Sequence, residues 1–307
     1  MNTPKNTSLV SRLRTPYPEI NLRPKRRYHF VGNMIVFLLL VAFGLILADR
    51  LELNGQAKAH SLDGSIKITS EAPPISLTAL NNLISDVTQN NSGITFGISM
   101  INLNTGSQLN YGETGPMAAA SVSKILTATD FLNQVELGNE SLGETLEDGN
   151  TASYDLQQMI TVSDDNAWDS LNDELSYDQL QDYANQLGLN SYDTLSNNLS
   201  ASDTATLLSQ LYRGKLLNPS DTRLVLSYMK VANYRSFIIP AVPSHDTVYH
   251  KVGEVDDNVN DAAIISNGRQ SIVLVIYTNG NGLYNWTARA TLMQQITKPV
   301  LSYYHLN

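Results

Sequence analysis

The chain has 307 residues, 42% of them apolar, with no cysteine and a formal net charge of −9. That length can bury one substantial core, and the missing cysteines exclude disulfides, a thiol nucleophile and cysteine metal sites. The acidity is concentrated after residue 28, where 13 basic and 28 acidic residues give a net of −15, so the basic footprint of a nucleic-acid binder is absent.

Residues 1–28 hold seven basic residues and one acidic one, and read as a cytoplasmic basic tail. The run "FVGNMIVFLLLVAFGLILA", Phe30 to Ala48, is uncharged and close to the ~20 residues that cross a bilayer as a helix. With Arg23, Lys25, Arg26 and Arg27 ahead of it, the segment 29–49 is expected to be a single membrane anchor with the N-terminus inside. Its rival is a cleaved signal peptide ending at the "AKA" of Ala57–Ala59, although that site stands well beyond the apolar run. Residues 50–75 lack helical or strand period and end near Pro73-Pro74, which suits a linker.

From Ser76 to the end the pattern is that of one folded domain, 76–307. "SLTALNNLISDVTQ" carries a helical stripe, and the "NTG" between Ile94–Leu103 and Ser107–Tyr111 makes a hairpin with Gly106 in the turn. A helix is expected from Ser121 to Val135, then helical patterns at 154–173 and 177–187. Two more helices follow, capped by Ser202 or Asp203 and by Ser220 or Asp221. "TVYHKVGE", "DAAIIS" and "SIVLVIYTNG" are strands, and the chain ends in a helix over 283–304. Strands split by an all-helical insertion, with terminal helices covering the sheet, give an α+β layered domain with an antiparallel sheet. The five histidines are scattered, so neither a metal nor any other cofactor is expected.

Polar signals punctuate this frame. In "AAASVSKILTA" Ser121 and Lys124 stand three apart, one helical turn, where an amine can serve a hydroxyl as base. Ser-x-x-Lys should occur about once by chance in such a chain, and a second copy, Ser227 to Lys230, lies in an amphipathic run that reads as helix surface. "SDD" at 163–165 falls in the helical middle and "KVG" at 251–253 on the strand after it. Taken singly, Ser121 and Ser163 could be helix caps, Lys251 a solvated strand lysine and Gly253 a bulge. His250 should face the opposite side of the strand from Lys251.

In order and context these motifs resemble the S-x-x-K, S-D-N, K-T-G set of class A β-lactamases and penicillin-binding proteins. The resemblance covers about three quarters of the chain, from Ser76 onward, and implies the β-lactamase/transpeptidase fold. It also implies that Ser121 attacks a carbonyl carbon, that Lys124 takes its proton, and that Ser163 relays a proton to the leaving nitrogen. Lys251 would be the second cation beside Lys124, Gly253 would let substrate lie against the strand, and the N–H groups of Ser121 and Glu254 would form the oxyanion hole. Three departures stand out. Asp165 occupies the asparagine position, unless Asn166 fills it through a local shift. Val252 replaces a threonine, and both changes weaken recognition of a substrate carboxylate. The stretch 189–204 is short and lacks the family's water-activating glutamate, leaving Asp193 as the possible deacylation base. The expectation is a serine acyl hydrolase outside the cytoplasmic membrane, acylated by a β-lactam or a peptidoglycan amide and slow to deacylate. The competing reading is a non-catalytic binding or scaffold domain that retains the fold.

Overall fold

The structure is a computed structural model that describes residues 74–282 and 284–306. The basic tail 1–28, the anchor 29–49, the "AKA" site and nearly all of the linker 50–75 lie outside the described residues. Among the described residues no helix is long and apolar enough to cross a membrane.

Helix α1 (Leu77–Gln89) is capped by Ser76, whose hydroxyl accepts from the Ala79 amide at 3.2 Å. Strands β1 (Thr95–Asn102) and β2 (Gln108–Gly112) form the hairpin, with Gly106 at a φ of 84° in its turn. The helical part comprises α2 (Lys124–Leu137), α3 (Ala152–Thr161), α4 (Asp165–Leu175), α5 (Tyr177–Gln186), α6 (Ala201–Tyr212) and α7 (Pro219–Lys230). Between α5 and α6 a two-residue strand, β4 (Asn198–Leu199), pairs with β3 (Met117–Ala118). Strands β5 (Thr247–Val255), β6 (Asn258–Ser266) and β7 (Ser271–Asn279) complete the main sheet, and α8 (Trp286–Tyr303) closes the fold.

The sheet runs β2-β1-β7-β6-β5 with every neighbour antiparallel, so β5 is an edge strand. Its two faces bury different layers, as the period of two in β7 shows. Ile272, Leu274 and Ile276 pack with Leu80 and Ile84 of α1 and Ile296 of α8. Val273, Val275 and Tyr277 pack instead with the helical part, through Ile125, Leu207 and Leu208 among others. This is the α+β architecture read from the pattern of elements.

The helical run expected over 154–173 is broken. Asp164 caps α4, its Oδ1 accepting from the amides of Asn166 at 2.9 Å and Ala167 at 3.2 Å, and Ser163 sits in the corner at a φ of 65°. Apolar periodicity continues through such a corner and cannot reveal it. The caps of α6 and α7 are Ser200 and Asn218, two or three residues earlier than read; at α7, Pro219 is accepted in the first turn without an N–H to lose.

Candidate active site

Strand β5 lies against a 3-10 turn, Ala120–Ser123, which leads directly into α2 and carries Ser121. A Cβ on Gly253 would stand 2.5 Å from the Ala119 carbonyl, 2.9 Å from the Val122 nitrogen and 3.0 Å from the Ser121 nitrogen. Gly253 therefore admits the nucleophile's own backbone to the strand, a steric demand prior to any substrate's. Two asparagines fix the same segment. Asn260 on β6 donates to the carbonyls of Ala118 at 2.8 Å and Ala119 at 3.3 Å, and Asn197 donates to Ala120 at 3.1 Å. Ala120, just before Ser121, is held at a φ of 50°, a conformation that costs a non-glycine residue roughly 1–3 kcal/mol and persists where the surroundings enforce it.

Ser121 is half-buried at the junction of two lobes of one cleft, of about 290 and 340 Å³. The first is lined by Ser163, Tyr234, Val252 and Asp256, the second by Trp168, Asp169, Ser196 and Asn197, and Asp165 and Glu254 border both. Beneath them lie two fully covered lysines. Lys124 Nζ donates to the carbonyls of Ser163 at 2.9 Å and Asp164 at 3.3 Å and to Asp165 Oδ1 at 2.5 Å. The Trp168 ring lies 5.2 Å from that ammonium, oriented by an indole N–H bond to Thr127 at 2.8 Å. No hydrogen bond joins Lys124 to the Ser121 hydroxyl among the described residues. Lys251 Nζ bonds the Ser163 hydroxyl at 2.7 Å and the Val252 carbonyl at 2.9 Å.

Burial pushes both lysines below the ordinary range. For Lys251 the positive charge of Lys124 adds to burial and brings the ammonium down to about 7. For Lys124 the Asp165 carboxylate opposes the burial, as hydrogen-bond acceptor and as charge. An ammonium has three protons, and Lys124 has three acceptors. Lys251 donates to two acceptors, the Ser163 hydroxyl and the Val252 carbonyl.

The remaining candidates fall into place as follows. Asp165, its side chain 81% exposed, occupies the third position of the SDN-like motif facing Ser121. Asn166 does not: helix geometry turns it into a neighbouring cleft on the far side of α4. Val252 belongs to the core beneath α8, and its carbonyl rather than its side chain serves the polar network. Glu254 is exposed at the rim, where its carboxylate accepts from the Tyr284 hydroxyl at 2.6 Å. His250 faces away from Lys251, buried, with Nδ1 3.1 Å from Asp261 Oδ1. The second Ser-x-x-Lys lies on the exposed face of α7, with the Ser227 hydroxyl bonded back to Leu224.

The structure corrects the reading of Asp193. It is exposed, its Oδ1 accepts from the amides of Leu195 at 2.9 Å and Ser196 at 3.3 Å, and it does not line the cleft. The Ser196 hydroxyl, together with those two amides, holds its carboxyl below the usual carboxylate range, which suits a turn and not a base. Asp203 is likewise committed, to the backbone and hydroxyl of Ser191. The loop reaches the cleft with Ser196 and Asn197 instead. Asn197, Asn260 and Trp168 escape a motif search, although the polar start of β6, Asn258, Asn260 and Asp261, on a fully buried strand is a visible signal. Among the described residues no three acidic or histidine side chains converge on a metal position.

No curated protein sequence matches. Among solved structures, PBP-A is similar with a TM-score of 0.69 at 24% identity over 76% of this chain and 98% of that one. An acyl-enzyme complex of a PBP-A point mutant with penicillin G is similar at 0.69 and 23%, covering 76% and 99%. An ancestral class A β-lactamase gives 0.67 at 19%, over 72% of this chain and 98% of that one. These likenesses establish the fold, and the model of the Beta-lactamase enzyme family matches residues 78–304. The chain belongs to the β-lactamase enzyme family.

Proposed function

We propose that this protein is a membrane-anchored serine hydrolase whose domain faces away from the cytoplasm, acylated at Ser121 by a β-lactam or a peptidoglycan-type amide. The observation that carries the reading is the pair of buried lysines on either side of Ser163, next to a half-buried serine on an enforced backbone. Burying two lysines is costly unless they are used or compensated, and perturbed amines beside a cleft are what nucleophile activation requires.

The proposed proton route runs from Ser121 through Ser163 to Lys251, whose bond to Ser163 reverses when the amine is neutral. Lys124, with its three protons directed to Ser163, Asp164 and Asp165, stays an ammonium that stabilises developing negative charge. Lys251 is the acceptor. As Ser121 Oγ bonds to the carbonyl carbon, its proton passes to Ser163 and the Ser163 proton passes to the Lys251 amine. When the C–N bond breaks, the proton returns through Ser163 to the leaving nitrogen, and the acyl group remains on Ser121. The N–H groups of Ser121 and Glu254 suit the oxyanion, since Gly253 brings strand and turn together.

Deacylation then needs a second base. With Asp193 and Asp203 committed elsewhere and Asn197 an amide, the loop side of the cleft offers none, so the acyl-enzyme is expected to persist. The solved acyl-enzyme of a PBP-A mutant with penicillin G lends the trap its chemical precedent. Fluorescent penicillin applied to wild type, Ser121→Ala and Ser227→Ala tests the nucleophile. Labelling should vanish in Ser121→Ala alone, and equal labelling of wild type and Ser121→Ala would refute the assignment.

A further inference from the structure

The connection from α7 to β5 contributes one residue, Tyr234, to the lobe of the cleft that holds Ser163. Tyr234 has a φ of 59°, left-handed backbone that a bulky residue rarely adopts and that persists only where its surroundings enforce it. They do so on both sides. Asn233 donates from its backbone to the Thr161 carbonyl at 2.9 Å and from its side chain to the Val162 carbonyl at 3.0 Å, tying the connection to the corner that carries Ser163. Asp261 Oδ2 accepts from the Ile238 amide at 3.1 Å, and His250 Nε2 lies 3.4 Å from the Ala232 carbonyl, so the buried His250–Asp261 pair ties the same connection to the sheet. The Tyr234 ring meets Trp286 edge-on with centroids 5.8 Å apart, and Trp286 packs on the buried Phe237 ring at 4.5 Å. Even so, Tyr234 remains 48% exposed. An aromatic ring fixed this firmly at a cleft, with half its surface open, is placed to be covered by a ligand.

We propose that Tyr234 is a specificity-determining residue whose ring covers the leaving group, and that its lobe selects a leaving group without a free carboxylate, such as one whose carboxyl is amidated. The direction in which substrate lies rests on the reading of Ser121 as nucleophile, because Ser163 then hands the proton to the leaving nitrogen and the leaving group falls in the lobe of Ser163 and Tyr234. Within that lobe Val252 offers no hydroxyl, and the exposed Val255 adds apolar surface beside the ring. Neither Lys124 nor Lys251 lines it, and its charged side chains, Asp165, Glu254 and Asp256, are all acids. A carboxylate placed there would give up water with no cation facing it, whereas an amide or an apolar group lies against the ring at little cost.

The test compares penicillin G with its carboxamide, in which the free carboxylate is replaced by a neutral amide. Calorimetric titration of full-length Ser121→Ala in neutral detergent reads recognition without acylation, and growth of the adduct mass on chains that keep Ser121 reads it with acylation. The carboxamide should bind at least tenfold tighter than the acid and acylate at a correspondingly lower half-saturating concentration. Tyr234→Gly removes the ring and takes a φ of 59° without strain, so the fold is kept. It should cut the preference to threefold or less, the loss falling on half-saturation more than on the limiting rate, and Tyr234→Phe should restore it. Equal binding of acid and carboxamide, or a preference that survives Tyr234→Gly, would overturn the proposal. A carboxamide preference that depends on Tyr234, with no adduct on the wild-type chain, would uphold the lobe's selectivity and refute the serine assignment alone.

Discussion

Asp165 is the residue on which the proton chemistry turns. An asparagine there would accept a hydrogen bond from Lys124 but bring no charge, and the carboxylate raises both Lys124 and Lys251 against the burial that lowers them. A base must be unprotonated, so acylation should rise with pH through the value of the accepting amine, about 7 for Lys251. Asp165→Asn removes a charge that favours both ammonium forms, and the rising limb should therefore move to lower pH. The rate of labelling by fluorescent penicillin between pH 5 and 9 measures it. An unmoved limb would mean that Asp165 has no part in setting the base. With Asp169, Glu254 and Asp256 the same acid makes a negative rim over the buried lysines, which should disfavour an anionic substrate group.

The edge strand and the turn of Ser121 form one unit, held by the absence of a side chain at position 253. Gly253→Ala would place a methyl 2.5 Å from the Ala119 carbonyl, which is backbone and cannot swing aside. Acylation should fall by about 10² or more, since small displacements of a nucleophile are costly, while circular dichroism stays that of the folded wild type. Retention of wild-type labelling would contradict it. This unit also marks how far the sequence can be read. Ser121, Lys124, Ser163 and Lys251 are legible because their spacing, order and flanking strands match a known pattern, and the strands because they are short apolar runs bounded by turn residues. What stays illegible comes from contacts that a linear pattern does not encode. The broken helix at Ser163 depends on a cap whose neighbours remain helical. Asp193 reads as a free acid because the two amides it binds lie within its own turn. The surroundings of Lys124 stay hidden because nothing in a linear chain reveals that Asp165 and two carbonyls meet at its nitrogen.

Across the whole molecule, two cores on opposite faces of one sheet leave the catalytic cleft where β5, the 3-10 turn and α4 meet. The acidic domain and the basic leader suit opposite sides of a membrane: a net of −15 after residue 28 would be repelled by the anionic surface that the leader attracts. Full-length protein should thus sediment with membranes and be released by detergent but not by high salt. A soluble mature form beginning at His60 would show cleavage after Ala59 instead. At this scale the proposed function rests on an acyl group that Ser121 accepts and the short loop cannot discharge. Intact-mass spectrometry of the full-length chain mixed with excess penicillin G, sampled from seconds to an hour, tests this most directly. One penicillin mass should be added per chain, mapped to the peptide containing Ser121 and persisting for many minutes, because loss of general-base help slows deacylation by about 10²- to 10⁴-fold. Rapid consumption of penicillin with no adduct, or no adduct and no consumption, would contradict it.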